Sequence, residues 1–300
     1  MKLDSAFLRG SYTPVVTPFR NGKVDFEEFG RLVDAQVKGG SHGVVVAGTT
    51  GEATSLSVSE RGELFQTAVR ASSGRIPIVA GAGSGSFEET LELCALAEKA
   101  KVNALLVVTP YYIRPPQGGL VEYFVQVARR TTLPLIIYHI PGRAAVSVTS
   151  QTVEQIAQKA NTLAGIKHAV HELDLVSELL VRLGPEFRIF CGLESLSLPM
   201  LALGAAGVMN AVGNLDPGRV AALCNAASSG KWEEARRLHF ELFALSQAIF
   251  IDTNPIPLKY MMNRLGLLAT HEVRLPLVAL NSGREKILDD VLRKAGLLDH

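Results

Sequence analysis

Eight short apolar runs, rich in β-branched residues, punctuate the first two thirds of the chain, at residues 12–17, 43–48, 76–81, 104–110, 134–140, 164–169, 187–192 and 207–212. Most are continuously apolar and do not alternate with polar positions, the pattern of strands covered on both faces in a parallel sheet. Between them the period changes to that of a helix. Phe26–Lys38 places Phe26, Phe29, Leu32, Val33 and Val37 on one stripe, and 59–72, 86–100, 118–131 and 149–160 follow the same rule. Ser59 before Glu60, and Ser86 before Glu88 and Glu89, read as N-caps with first-turn acids, while Gly39 and Gly40 stop the first helix.

Strands alternating with helices in eight units predict an α/β fold, a (β/α)₈ barrel, which typically occupies about 250 residues. The competing open doubly wound sheet lacks its dinucleotide fingerprint. The glycines at 81, 83 and 85 do not give the third glycine at the required offset. From residue 217 the pattern is helical only, with segments at 232–249, 257–267 and 282–295. The expected organisation is therefore a catalytic barrel over 1–225, followed over 226–300 by the last barrel helix and a C-terminal helical extension.

Composition narrows the function classes. Thirty basic and 29 acidic side chains give a net charge of +1, so no basic excess exists to neutralise a phosphate backbone, and nucleic acid is not an expected partner. Cys94, Cys191 and Cys224 are dispersed, which argues against a disulfide framework or a zinc site and for a reducing compartment. The opening residues hold no apolar run of signal-peptide length, and the longest aliphatic stretch, 104–108, is far too short for a bilayer. A cytoplasmic protein with no membrane contact is expected.

In such barrels the active site is built where the strands end at their C-terminal side. The second run exits into Gly48, Thr49, Thr50 and Glu52, and the fourth into Tyr111 and Tyr112. The fifth ends near Tyr138 and leads to Arg143, the sixth carries Lys167, Gly192 closes the seventh, and Met209 lies in the eighth. Of eleven lysines, Lys167 is the one that interrupts an apolar strand; the others are assigned to helices, turns or the termini. An amine in apolar surroundings is more readily neutral and able to attack a carbonyl. The alternative is a strand-edge lysine whose head reaches solvent. Tyr138 and Tyr112 are candidate proton carriers or simply rim packing residues. Thr49 and Thr50 offer hydroxyls to a carboxylate or form a plain turn, and Arg143 is either a carboxylate clamp or a surface arginine. His168 and His171 form an H-x-x-H spacing, but His168 should point away from Lys167 across the strand, so no metal site is expected.

Three segments taken together resemble the pyruvate-dependent aldolase family of dihydrodipicolinate synthase and N-acetylneuraminate lyase. They are Gly48-Thr49-Thr50-Gly51-Glu52 with Leu56, Tyr138 followed by Pro141-Gly142-Arg143, and Gly165-Ile166-Lys167. Within the family, 107–112 with Pro115 and Gln117, 254–259 and 274–277 are similar to the synthase branch. The resemblance implies that Lys167 forms an imine with pyruvate and that Thr50, in the loop opened by Gly48, binds the pyruvate carboxylate. It implies that Tyr138, Thr49 and Tyr112 relay protons, Tyr112 reaching a neighbouring subunit's site. Arg143 would hold the carboxylate of aspartate semialdehyde, and Gly192 and Met209 would line the pocket. It further implies a homotetramer, no metal or organic cofactor, and a place in lysine and diaminopimelate biosynthesis.

The sequence departs from that pattern. His139 stands where the synthases usually have Asn, His168 where an acid is usual, and Gly85 where an Asn is common; Val58 and Arg61 replace histidines of feedback-sensitive members. Two alternatives accompany the synthase reading. One is a catabolic relative, a sugar-acid aldolase or dehydratase or a pyrroline-carboxylate deaminase, using the same lysine. The other is a non-catalytic barrel that binds keto acids.

Overall fold

The computed structural model describes residues 4–298. Its eight barrel strands are β1 (Gly10–Pro14), β2 (Gly43–Val46), β3 (Ile78–Gly81), β4 (Ala104–Val108), β5 (Leu135–His139), β6 (Leu163–His168), β7 (Arg188–Cys191) and β8 (Gly207–Val208). Each pairs in parallel with the next, and β8 returns to β1, so the sheet closes on itself. Every expected apolar run supplies one strand. The first begins and ends earlier than its hydrophobic pattern, because Val15 to Thr17 continue beyond the ladder as buried loop.

The strands are mostly apolar because they face two different cores. Tyr12, Val45, Val79, Leu106, Ile136, Phe190 and Met209 fill the barrel interior. Their strand neighbours Val44, Val46, Ile78, Leu105, Val107, Ile137, Ile189 and Val208 pack outward under the helices. This alternation is the period-two rule acting on a sheet with no wet face. A register shift between β5 and β6 resets its phase: Leu135 pairs with Leu163 but Ile136 pairs with Gly165, leaving Ala164 as the extra residue. Beyond that bulge Lys167 is directly opposite Tyr138, and both point inward. Gly165 is required there, since a Cβ would lie 1.9 Å from the Arg188 carbonyl oxygen.

The surrounding helices are α1 (Phe26–Lys38), α2 (Val58–Ser72), α3 (Phe87–Ala100), α4 (Gln117–Ala128), α5 (Ser150–Lys159), α6 (Asp174–Leu183), the short α7 (Ser197–Ala202) and α8 (Pro217–Ser228). They are followed by α9 (Trp232–Ala248), α10 (Ile256–Arg264) and α11 (Ser282–Lys294). α8, which follows β8 and packs on β1, straddles residue 225. Ser86 caps α3 by accepting the Glu89 N–H. The cap of α2 is Ser57 and not Ser59: Ser57 and Glu60 satisfy one another's backbone N–H groups, which needs the acid three residues on. A two-stranded ribbon at 19–20 and 23–24, without a hydrophobic signature, precedes α1. Among the described residues no helix is long and apolar enough to cross a membrane.

Candidate active site at the barrel mouth

A cavity of about 640 Å³ opens at the C-terminal end of the strands, with Gly48, Thr49, Tyr138, Arg143, Asn254 and Arg274 on its wall. Lys167 lies beneath this wall, 5% exposed, its Nζ 4.3 Å from the centre of the Tyr138 ring. The Tyr138 hydroxyl is 3.3 Å from Thr49 Oγ1, so ring, hydroxyl pair and amine form one contiguous group. Strand register creates this group: Tyr138 and Lys167 are paired residues of β5 and β6 on the interior face.

The remaining expected residues take distinct places. Thr50 is buried, its Oγ1 accepting from Asn254 Nδ2 at 3.0 Å, which ties the turn after β2 to the segment before α10. Gly48 opens that turn, its carbonyl accepting the Gly51 N–H at 3.1 Å. Met209 belongs to the interior core beside Tyr138. Gly192 lies against the lysine: a Cβ there would come 2.9 Å from Lys167 Cε and 2.8 Å from Ala169 Cβ. Gly192→Ala is therefore expected to push the amine aside and lower kcat by about 10²-fold, the usual cost of displacing a reacting group by roughly 1 Å. Steady-state rates with a thermal melt as folding control check this. Tyr112 does not join the group. It is 89% exposed with φ +76°, while its neighbour Tyr111 lines the cavity.

Lys167 is not the sole buried lysine. Lys259 on α10 is fully buried, its Nζ 2.5 Å from Glu52 Oε1 and donating to the Glu272 carbonyl at 2.7 Å. Burial holds the Lys259 pKa below its ordinary value against the opposing pull of Glu52. The other Glu52 oxygen accepts the Arg274 N–H at 3.1 Å. Arg274 in turn grips Glu60 through two hydrogen bonds of 2.7 and 2.9 Å, lowering the Glu60 pKa. Residues 252–277 are thereby fastened to the loop after β2, and Asn254, Arg274, Pro276 and Leu277 become cavity wall. The signal for Lys259 was the one that marks Lys167, a lysine inside an apolar run (256–262).

At the end of β7, Glu194 is buried and accepts the Ala211 N–H at 2.6 Å, joining the loops after β7 and β8; burial pushes its carboxyl up to about 7. On the outer face of β5 and β6, His168 meets His139, not His171, with their Nδ1 atoms 3.1 Å apart. Among the described residues no group of three or more His, Cys, Asp or Glu is placed to hold a metal ion.

Burial lowers both histidines, His139 from 6.5 to about 3. Below pH 6.5 the unfolded chain binds protons that the folded pair refuses. Their contribution to stability is thus complete above pH 6.5 and declines as the pH falls towards about 3. Thermal melts at pH 7 and about 4.5 should show a lower Tm in acid, with a shallower pH slope in His139→Phe.

The fold is a (β/α)₈ barrel with a lysine, a tyrosine and a threonine hydroxyl grouped at its mouth. The chain belongs to the Dihydrodipicolinate synthetase family, which it matches over residues 7–295. It is 44% identical to a 4-hydroxy-tetrahydrodipicolinate synthase of Thermus thermophilus over 97% of each chain. The crystal structure of dihydrodipicolinate synthase from Aquifex aeolicus superposes with a TM-score of 0.95 at 38% identity, covering 97% of this chain and 100% of that one. The chloride-inhibited enzyme of Acinetobacter baumannii, complexed with pyruvate, gives 0.93 at 32% identity over 97% and 100%.

Proposed function

We propose that this chain condenses pyruvate with aspartate semialdehyde to 4-hydroxy-tetrahydrodipicolinate, the reaction named for its Thermus relative, in the cytoplasmic route to diaminopimelate and lysine. The observation that carries the reading is Lys167 against Tyr138, with the Thr49 hydroxyl in reach of the tyrosine. The Lys167 amine attacks the keto carbon of pyruvate, and the carbinolamine loses water to give an imine. Tyr138 delivers the proton that leaves with that water and exchanges it with Thr49. Loss of a methyl proton converts the imine to an enamine, whose carbon adds to the aldehyde. The amino group of the second substrate then displaces Lys167, closing the ring and freeing the amine. Gly48 and Thr50 shape the turn that receives the pyruvate carboxylate, and Arg143 on the cavity wall takes the carboxylate of the second substrate.

The exposed Tyr112 fits a homotetramer in which it completes the relay of a neighbouring copy. A coupled assay supplying both substrates tests the reaction. Saturable consumption of aspartate semialdehyde that depends on pyruvate supports it. Imine formation without condensation would overturn it in favour of a catabolic relative, and binding without turnover of any aldehyde in favour of a non-catalytic barrel.

A further inference from the structure

Behind the lysine–tyrosine pair, on the opposite face of the same two strands, lies a chain of hydrogen bonds that the reaction as described leaves unused. His139 and His168 are paired residues of β5 and β6, each 1% exposed. Ser147 Oγ is 3.1 Å from His139 Nε2, His139 Nδ1 is 3.1 Å from His168 Nδ1, and His168 Nε2 is 2.7 Å from the Glu172 carbonyl oxygen. All four ring nitrogens are engaged.

The roles along this chain follow from one fixed point. A carbonyl oxygen only accepts, so His168 Nε2 carries a hydrogen. A neutral His168 then has a bare Nδ1, which accepts, and His139 Nδ1 must donate to it. That leaves His139 Nε2 bare, and it accepts from the Ser147 hydroxyl. Both imidazoles are neutral in this arrangement, consistent with their burial. The titratable group acting on His139 is His168, and the one acting on His168 is Glu172.

The chain has a location as well as a direction. His139 and Ser147 are the two ends of the loop 140–146, which contains the single turn Pro141–Ala144 and its Arg143. Inside the loop the Arg143 and Ala144 N–H groups donate to the Ile140 carbonyl. At its far end Gln117 Nε2 donates to the Ser147 carbonyl at 2.8 Å. The bond from Ser147 to His139 therefore closes the base of the Arg143 loop. The bond from His139 to His168 fixes that base to the strand carrying Lys167.

We propose that His139 and His168 are positioning residues that set where Arg143 stands relative to the lysine, and with it the affinity for the carboxylate of the second substrate. This rests on Arg143 binding that carboxylate. A buried imidazole pair suits the task because two rings span the gap between strand and loop while every polar atom stays satisfied. Its effect falls on the second substrate, since the Arg143 loop does not hold the lysine itself.

Five variants test this: Ser147→Ala, His139→Phe, His139→Gln, Arg143→Ala and the double variant His139→Phe/Arg143→Ala. Steady-state constants for both substrates are measured together with the rate of borohydride trapping in pyruvate alone. Ser147→Ala and His139→Phe should each raise KM for aspartate semialdehyde by about tenfold or more, as expected for a misplaced clamp. KM for pyruvate and the trapping rate should stay within about twofold. His139→Gln, which keeps an acceptor for Ser147, should recover much of the loss. The double variant should be no worse than Arg143→Ala alone. A fall in kcat with both KM values unchanged, or full additivity with Arg143→Ala, would overturn the proposal. Ser147 is exposed, so its variant reports even where His139→Phe folds poorly. If Arg143→Ala itself leaves KM unchanged, the role of Arg143 is wrong; if it raises KM and Ser147→Ala does not, the positioning role alone is wrong.

Discussion

Lys167→Ala is expected to abolish covalent capture of pyruvate and to lower kcat by more than about 10⁴-fold, as loss of an enzyme's nucleophile does. Sodium borohydride added to the native protein with pyruvate should fix the imine as a secondary amine on Lys167, locatable by peptide mass spectrometry. The variant should gain no such mass. The other buried lysine among the described residues, Lys259, is not free to substitute, since it is held against Glu52 and bonded to the Glu272 carbonyl. Lys167→Arg keeps a long nitrogen-bearing side chain beside Tyr138 and serves as a folding control. Pyruvate-dependent labelling in the alanine variant would show that the reacting amine lies elsewhere.

Lys259→Met is expected to be the most damaging change to stability. It leaves the Glu52 carboxylate buried without its cation, and breaking one side of such a pair typically costs about 3–5 kcal/mol. In a thermal melt this corresponds to a Tm lower by on the order of 10 °C. Adding Glu52→Leu should restore much of the loss, because two apolar residues leave no stranded charge. The Arg274 N–H still loses its Glu52 acceptor, so recovery should be incomplete. If the double variant melts no higher than Lys259→Met, the ion pair is not the source of the instability.

The two lysines also show what was legible in the sequence. The barrel was written plainly, because strands enclosed by an interior core and a helical shell are apolar at most positions. Lys167 stood out against that background. Lys259 interrupts an equally apolar run, but on a helix, where lysine is ordinary, and its partner lies 207 positions away in a turn chosen for its threonines. Local pattern carries no trace of such a pairing. The same limit applies to Arg274, whose attachment to Glu60 makes it cavity wall although it lies in irregular chain between Glu272 and Pro276. Smaller misses have local causes. Ser57 and Ser59 are both competent caps, and the reciprocal bond with Glu60 decides between them. The expectation that His168 faces away from Lys167 agrees with its bond to His139, yet the pairing of two strands was needed to supply that partner.

The cavity at the mouth is assembled from distant parts of the gene. Its amine and tyrosine come from the middle of the chain, but Asn254, Arg274, Pro276 and Leu277 come from the last fifth. A recombination event that exchanged only the 3′ end with that of a relative would leave the imine chemistry in place and redraw the walls around it. Such an exchange would succeed only where the incoming segment still offered a cation to Glu52 and another to Glu60. Those two acids act as compatibility markers, so variation in what the enzyme accepts would be inherited in blocks and not residue by residue.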